Sequence, residues 1–520
     1  MEKKLFLSIL SGIAISLAFP PLQFGFMVYW GFIPFLVILQ DTNYKQAIKW
    51  AYLTGFFLNL GTLYWIYWPT IPGVIAAILY LPIYFVLFAI LHTFLRRRLS
   101  QKYLFICIPF LWTGIEYIRS LGVLGFPWTS LAYTQTYYLS LIQYASYTSL
   151  YGVSFWIITI NVVIWVTFKN YNNLKKIIIC FLFLISLFIL PWLYGKIIIP
   201  REDTANEKIR IALIQGNIDP YIKSDADFWE ENMRIYDSLS RQAAEEGPQL
   251  LIWPETAVPY YLRYTNSSSK VDFKARVREL SSELNIPIIT GAHDAEFLYD
   301  RNEYLTFNAV FLIEPNSFRL PAYAKLHLVP FGERVPFTEV FPILKDFLES
   351  LEMGQGNFSP GNKINTFKIT ISKRNSTSQK QIIKAPVIIC FESLFPELVR
   401  KFVIDKNAHL LVIITNDGWF KRSSAPYHHA QVAILRAIEN GIPIARCANT
   451  GISMFIDSYG RTIDASPLFE RLYICADIPL RDKNTFFSLH GNIFSITVTI
   501  LNLGPIMVAL VKKNHEVNDA

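Results

Sequence analysis

Between residues 5 and 199 the sequence runs in long apolar stretches with few charges, and this pattern limits the fold more than any other feature. About 20 consecutive apolar residues let a helix cross the hydrocarbon core of a bilayer. A backbone in that medium finds no water to bond, so such stretches must close their hydrogen bonds internally, as helices do. Seven candidate spans centre near Ile13, Ile33, Leu58, Pro82, Phe110, Thr159 and Leu187, and an eighth near Leu501. Lys3 and Lys4 before the first run also suit a signal peptide, but Phe19-Pro20-Pro21 is a poor cleavage site and a second apolar run follows at once. From residue 200 to about 483 the chain has the composition of an ordinary globular protein. The expected organisation is a seven-helix transmembrane domain (1–199), a globular domain (200–485), and a C-terminal transmembrane helix with a short tail (486–520).

The charges orient these spans. With the N-terminus inside, the inner loops carry Lys3, Lys4, Lys45, Lys49, Arg96, Arg97, Arg98, Lys102, Lys169, Lys175, Lys176, Lys512 and Lys513. The short outer loops carry Arg119 alone, with Lys196 and Arg201 at the exit of the seventh helix. By the positive-inside rule the globular domain then faces outward and the C-terminus returns inside. Against Glu2, Asp41, Glu516 and Asp519 on the same side, those thirteen cations leave an excess of nine, which exceeds the net +8 of the whole chain. The basic balance therefore reports topology and gives no support for nucleic-acid binding, which would need a basic face on the globular domain.

Five cysteines, Cys107, Cys180, Cys390, Cys447 and Cys475, form an odd set with neither a disulfide framework nor zinc-ligand spacing. Free thiols in an oxidising compartment are a liability unless buried or used.

Apolar runs of strand length recur through the outward domain at 209–215 (IRIALIQ), 249–253 (QLLIW), 287–290, 307–313, 386–391, 409–415, 442–447 and 452–457. Between some of them lie amphipathic stretches at 228–246, 272–284 and 428–440, the last with Gly441 as a C-cap. Strands too apolar to have a wet face, alternating with helices, predict an α/β sandwich with covered sheets. The polar segment 372–384 reads as a loop or hairpin tip.

In such folds function gathers where strands end, and three such places carry unusual residues. Glu255 follows QLLIW in WPETAVP, where a carboxylate is held near the core or simply starts a helix or pairs a surface arginine. Lys325, in AYAKLHLVPFGERVP, is either functional or a lysine whose stem covers apolar surface. Glu333, eight residues on, pairs with it or is solvated. Cys390 ends APVIIC before Phe391, Glu392 and a helix-like SLFPELVRKF. That arrangement presents a thiol at a sharp bend with backbone N–H groups nearby, or else buries an inert one. His428 and His429 are adjacent, about 100° apart on a helix, and form no metal motif. Asp417 and Trp419 in TNDGWF suit a substrate loop or the core.

In the order Glu, Lys, Cys with these flanks, the three residues resemble the nitrilase superfamily, whose members place such a triad on an αββα sandwich. The whole chain resembles the apolipoprotein N-acyltransferases of Gram-negative bacteria. The likeness extends to IALIQGNI, GFPW at 125–128, LVPFGE, TNDGWF and HHAQVAILRAIENG. Where that family carries tyrosine after the nucleophile, Phe391 stands here, and its tryptophan just after QGNI is not evident, Ser224 following Lys223. The resemblance implies a monomer in the inner membrane, both termini cytoplasmic, with a periplasmic catalytic domain and neither metal nor cofactor. It implies that Cys390 takes an acyl chain from a phospholipid as a thioester and passes it to the α-amino group of the diacylglyceryl-cysteine of an apolipoprotein. Glu255 would be the general base and Lys325 the oxyanion partner, with Glu333, Glu392 and Phe391 in support. A membrane-tethered amidase with the same triad is the competing enzyme reading, and a transporter or scaffold the non-enzymatic one. Transport would want ionisable residues within the helices, where Glu116 and Arg119, one turn apart, form a local pair.

Overall fold

The computed structural model describes residues 1–201, 207–223, 225–263, 272–300, 302–335, 357–373, 376–404, 407–481 and 483–512; Ser224, Lys513, Glu516 and Asp519 lie outside them. The chain divides into two compact units, one of Met1–Pro200 with His490–Ala520 and one of Arg201–Leu489.

The first unit is helical. Its helices include Glu2–Leu17, Ile33–Gln40, Tyr44–Leu63, Ile71–Tyr80, Ile83–Arg96, Gln101–Arg119, Ala145–Lys169, Leu174–Ile198, Ile493–Leu501 and Leu503–Val511. Helix thus stands at or beside all eight apolar centres. By length and composition, four described spans can cross a membrane: Ile71–Arg96, Ala145–Lys169, Leu174–Ile198 and Ile493–Val511. The other four places fall short for local reasons. Glu2–Leu17 has only 16 residues. The segment around Ile33 is broken into Gly25–Met27, Val28–Gly31 and Ile33–Gln40. Tyr44–Leu63 and Gln101–Arg119 are long enough but carry Lys45, Lys49, Lys102, Glu116 and Arg119.

Packing in this unit relies on small residues and on polar staples. Gly12 lets Glu2–Leu17 approach Tyr44–Leu63 closely, since a Cβ there would sit 2.7 Å from Phe57 Cβ and 2.8 Å from the Thr54 carbonyl. Phe32, Phe35, Phe85, Phe88 and Trp112 form a buried aromatic cluster, with the Phe32 and Trp112 ring centroids 4.7 Å apart. The break at Phe32 frees backbone groups, and Asn161 takes them up. Its Oδ1 accepts from the Phe32 N–H at 3.0 Å and its Nδ2 donates to the Val28 carbonyl at 2.8 Å. Glu116 and Arg119 are both buried and 3.5 Å apart, and Glu116 also accepts from the Leu131 N–H at 2.9 Å. Of the aromatic residues in the outer-loop segments, Trp65 and Trp128 are buried against each other at 4.8 Å, whereas Tyr64, Tyr67 and Trp68 are exposed.

The second unit is an α/β sandwich. Its described strands are β1 (Lys208–Gln215), β2 (Leu250–Ile252), β3 (Val258–Tyr261), β4 (Ile288–Leu298), β5 (Glu303–Ile313), β6 (Ala322–Ala324) and β7 (Thr366–Lys373), followed by β8 (Ser376–Ile389), β9 (Leu411–Thr415), β10 (Ile444–Ala448), β11 (Met454–Ile456), β12 (Thr462–Ala465) and β13 (Leu472–Pro479). One sheet runs β13-β1-β2-β4-β5-β6 with β3 beside β4, and the other β12-β11-β10-β9-β8-β7. Strands pair in parallel at β1–β2–β4 and β3–β4 in the first sheet and at β8–β9–β10 in the second. β2 and β9 are buried along their whole length, which explains their apolar sequences LLI and LVIIT. The two sheets face each other: the Cys447 thiol on β10 donates to the carbonyls of Ile252 at 3.2 Å and Ile214 at 3.5 Å. Helices Trp229–Ala244 and Phe273–Leu284 cover the outer face of the first sheet through Met233, Tyr236, Val277 and Leu280. Pro396–Ile404 and Ala425–Asn440 pack on the second. The layers are therefore αββα.

Two local expectations need correction. Segment 372–384 is the hairpin of β7 and β8, whose strands extend almost to its tip, with residues 374 and 375 outside the described range. Where side chains are described in these two strands, Phe367, Ile369 and Ile371 are buried with Lys368 and Thr370 exposed between them, and Ile383 and Ala385 are buried beside exposed Ile382. The stretch after Cys390 is a 3-10 turn, Cys390–Leu394, and the α-helix begins at Pro396, where proline suits a first helical turn.

Replacing Asn161 by leucine leaves the Phe32 N–H and Val28 C=O unsatisfied, at about 1–3 kcal/mol each. The expected outcome is a thermal midpoint several degrees lower in detergent, read by fluorescence-detected unfolding; a midpoint equal to that of the unsubstituted protein would show the staple to be dispensable.

Candidate active site

Three loops at strand ends of the sandwich converge. The first follows β2. Trp253 is fully buried, stacks on Tyr236 with centroids 4.9 Å apart, and donates from Nε1 to Ser240 Oγ at 3.0 Å. Pro254 and Glu255 then turn sharply, with Thr256 at φ +49°. The turn lies on β4 at Gly291, where a Cβ would sit 2.5 Å from the Thr256 nitrogen and 2.7 Å from Glu255 Cα. Only glycine admits this approach. Glu255 is 6% exposed. Its Oε1 accepts from Asn308 Nδ2 at 2.8 Å and its Oε2 from the Asn416 N–H at 2.9 Å.

The second loop follows β6. The Lys325 N–H donates to the Asn308 carbonyl on β5 at 2.9 Å, and its side chain is buried. Lys325 Nζ lies 2.9 Å from Glu333 and 3.7 Å from Glu255 Oε1. Burial alone would push the ammonium down, but the Glu333 and Glu255 carboxylates and the Cys390 thiol outweigh it and hold its pKa above the ordinary lysine range. Glu333 closes its own loop by accepting from the Val329 N–H at 2.8 Å, and it shares the Asn308 amide at 2.8 Å with Glu255.

The third is the β8 elbow. Cys390 is half-buried and adopts φ +51°, a left-handed conformation costly for a residue with a Cβ. Two side chains brace it. Glu392, fully buried, accepts from the Ile389 N–H at 2.8 Å, from Tyr323 Oη at 2.6 Å, and from the N–H groups of Leu326 at 2.7 Å and His327 at 3.2 Å. Burial pushes its carboxyl up and these donors oppose the shift. Glu392 thereby ties the elbow to the backbone just after Lys325 and touches neither Lys325 nor Glu255 through its hydrogen bonds. His429 braces the other side, with Nδ1 2.8 Å from Asp417 Oδ1 and Nε2 3.2 Å from the Cys390 carbonyl. Arg446 Nη2 donates to Asp417 Oδ2 at 2.8 Å. Burial would raise the Asp417 carboxyl, but Arg446 and His429 hold it well below the usual carboxylate range. Phe391 is buried in an aromatic group with His327 and Phe395.

The thiol itself is held up. Burial and then the Glu255 carboxylate push the Cys390 pKa above the ordinary thiol range; Lys325 and the Thr415 hydroxyl oppose them and are outweighed. The elbow and the lysine therefore do not make a resting thiolate, contrary to what a cysteine at a turn beside a cation suggests.

The structure brings Glu255, Lys325, Glu333 and Cys390 together, and it sets Glu392 and Phe391 in the supporting shell of the elbow. Asn308 and Lys223 belong to the same site and had escaped sequence reasoning, as had the pairing of Asp417 with His429, two residues the sequence had singled out separately. Asn308 lies mid-strand with no marker around it, whereas Asp417 and His429 stand in the quoted motifs, which name them without pairing them. Lys223 is buried, its Nζ donating to the Glu255 carbonyl at 3.2 Å and to Thr256 Oγ1 at 3.3 Å. Among the described residues, no three His, Cys, Asp or Glu side chains are grouped to hold a metal ion.

Burial lowers the Lys223 pKa to about 7, against a smaller opposing pull from Glu255. Between about pH 7 and 10.5 the unfolded chain then holds a proton that the folded chain lacks, so this residue makes stability rise with pH across that window. The thermal midpoint of the unsubstituted protein is expected to climb relative to that of Lys223→Met over this range, and parallel curves would show that Lys223 is not buried as described.

A family model described as the apolipoprotein N-acyltransferase N-terminal domain matches residues 11–163, and one described as carbon-nitrogen hydrolase matches residues 210–484. An apolipoprotein N-acyltransferase of Geobacter metallireducens is 34% identical, over 94% of this chain and 92% of its own length. Another, of Chlorobaculum tepidum, is 29% identical, over 95% and 94%. Among solved structures, an amidase from Nesterenkonia sp. covers 52% of this chain and 90% of its own, with a TM-score of 0.36 and 20% identity.

Proposed function

The chain belongs to the apolipoprotein N-acyltransferases, and from that premise we propose how its own residues carry out lipoprotein N-acylation. The acyl donor is a phospholipid and the acceptor the α-amino group of an N-terminal diacylglyceryl-cysteine. The observation that carries the reading is the convergence of Glu255, Lys325 and Cys390, with Lys325 Nζ 3.7 Å from Glu255 and Cys390 in electrostatic reach of both.

Cys390 is the nucleophile. Its sulfur attacks the ester carbonyl carbon of the phospholipid while Glu255 takes the thiol proton. Negative charge develops on the carbonyl oxygen, where the Lys325 ammonium and a backbone N–H of the elbow stabilise it. The ester C–O bond breaks, the lysophospholipid oxygen takes the proton from Glu255, and a thioester remains on Cys390. The acceptor amine then attacks the thioester carbon, Glu255 removes its proton, and as the C–S bond breaks Glu255 passes that proton to the departing sulfur, restoring both the thiol and the carboxylate. Because the resting thiol is held protonated, a base within reach is required, and Glu255 is placed for it by the Asn308 and Asn416 donors. Glu333 positions Lys325, Glu392 positions the loop after it, and Phe391, next to the nucleophile in sequence, packs on His327 and Phe395.

The chain is a monomer of the inner membrane with eight spans, both termini cytoplasmic and the sandwich periplasmic. Thirteen basic residues on alternate loops support that orientation. The contacts of Lys4 with the Asp41 carbonyl and of Arg96 with the Thr42 carbonyl agree with it, gathering such residues at one end of the helical unit.

Incubation with phospholipid and no acceptor is expected to leave a fatty-acyl adduct on Cys390, seen by intact-mass and peptide mass spectrometry and absent from Cys390→Ala. Full lipoprotein acylation by Cys390→Ala would overturn the mechanism. Rapid hydrolysis of water-soluble amides without lipid would instead favour a tethered amidase, a reading to which the carbon-nitrogen hydrolase match lends some support. Asn308→Ala removes two hydrogen bonds to charged groups, those to Glu255 and Glu333, at about 1.5–3 kcal/mol each. It should slow acylation by roughly tenfold or more, measured below the variant's own, somewhat lowered, thermal midpoint; an unchanged rate would show that Asn308 does not position Glu255.

A further inference from the structure

The helical unit holds a polar pocket that this reaction does not use. Lys4 Nζ donates to the Asp41 carbonyl at 3.1 Å, Arg96 Nη2 to the Thr42 carbonyl at 2.6 Å, and the Arg97 guanidinium lies 4.9 Å from the Tyr44 ring centroid. These contacts tie together the start of Glu2–Leu17, the loop 41–43 and the end of Ile83–Arg96. Beside them lies a cavity of about 220 Å³, whose walls include His92, Gln40, Arg96, Lys169, Trp165 and Asp41.

The chemistry of those walls is one-sided. His92 is fully buried and stacks on Phe88 with centroids 5.9 Å apart, yet among the described residues neither of its ring nitrogens has a hydrogen-bond partner. The Gln40 amide nitrogen and Arg96 Nε are likewise buried without a partner among the described residues. Lys169 Nζ stands 5.8 Å from the Trp165 ring centroid and is exposed. Buried polar groups in native proteins are nearly always satisfied, so a cluster of orphaned donors needs an explanation. Gln40 Nε2, Arg96 Nε, the Lys169 ammonium and one imidazole nitrogen all offer protons. Two full positive charges face one carboxylate, that of Asp41, which is solvent-exposed. A surplus of donors and of positive charge fits an anion with several acceptor oxygens, and a guanidinium beside an ammonium is the usual pairing for phosphate. A cavity of about 220 Å³ has room for a phosphate-sized group. Basic pockets between membrane helices on the cytoplasmic side bind lipid head groups by this means.

We propose that this pocket is a phosphate-binding site, taking either the phosphate of a phospholipid headgroup or free inorganic phosphate. It lies wholly within the helical unit and is independent of the acyl-transfer mechanism. The full chain, purified in a zwitterionic detergent free of phosphate, is titrated with inorganic phosphate by isothermal calorimetry. Saturable binding is expected, weakened at least about tenfold in Lys169→Gln, an exposed position at which folding is preserved. Acylation activity should be unchanged in that variant, which separates loss of the site from loss of the fold. Dioleoylphosphatidylglycerol added to the micelles decides the source. Displacement of phosphate, with the lipid retained in native mass spectra, assigns the pocket to a headgroup; phosphate binding that the lipid leaves unaffected assigns it to the free anion. Absence of saturable binding by both ligands would overturn the proposal. So would equal phosphate affinity in the unsubstituted protein, Lys169→Gln and His92→Phe.

Discussion

A buried ammonium is the constraint around which the sandwich site is built. Lys325 is almost wholly removed from solvent, and an unpaired charge in that setting would shed its proton or unfold the loop. Two carboxylates must therefore be delivered to it from different parts of the chain. Glu333 arrives on the same loop by folding back onto Val329. Glu255 arrives from the end of β2, held against β4 by the missing side chain of Gly291. Asn308 on β5 donates to both acids through one amide nitrogen and fixes their spacing. Removing any of these leaves a buried charge without its partner, so the cluster demands the local geometry of three strands at once.

The same charge balance governs the thiol. One ammonium and two carboxylates leave the cluster with an excess negative charge, so losing a proton from Cys390 to bulk water adds a second negative charge to a dry place. That accounts for the upward shift of the thiol despite a neighbouring cation. Passing the proton to Glu255 leaves the net charge of the cluster unchanged. In the proposed mechanism, proton transfer and sulfur attack are therefore favoured together, and the negative charge that does appear moves onto the carbonyl oxygen. A thiol silent at rest also suits an acyl carrier better than a standing thiolate, which would oxidise more readily.

How much of this the sequence discloses depends on whether a residue's neighbours are unusual. Glu255, Lys325 and Cys390 each end an apolar run beside proline, glycine or a turn, so their places at strand ends can be read directly. Asn308 is mid-strand in TFNAVFLI, and nothing local distinguishes it from a polar residue on a solvated face. His429 looks like half of a histidine pair, and only the fold shows that its partner is Asp417 and its target the Cys390 carbonyl. The central parallel strands were legible because both faces are apolar. β13 was missed because most of it is only half-buried, and β7 because the pairing that makes it a strand is with an equally polar partner. The apolar centres of the helical unit were legible too, but the interruptions inside them were not: the break at Phe32 depends on a bond to Asn161, 129 residues away.

That bond and the orphaned donors near Arg96 show one principle acting in opposite ways. Hydrocarbon offers no partner to a polar group, so each one inside a helical membrane unit must be matched by the protein or by something bound to it. Asn161 is matched completely by the protein, with Phe32, Val28 and Ile157 using its acceptor and donor groups, and it serves as a fixed staple. Glu116 is matched at Oε1 by Arg119 and the Leu131 N–H. His92, Gln40 and Arg96 keep unmatched nitrogens among the described residues, all on the walls of one cavity. Other buried polar atoms of the unit, such as Trp112 Nε1 and Thr113 Oγ1, also lack a partner among the described residues; what sets this end apart is that its orphaned nitrogens line one cavity beside two cations, a requirement best met by a ligand rich in oxygen.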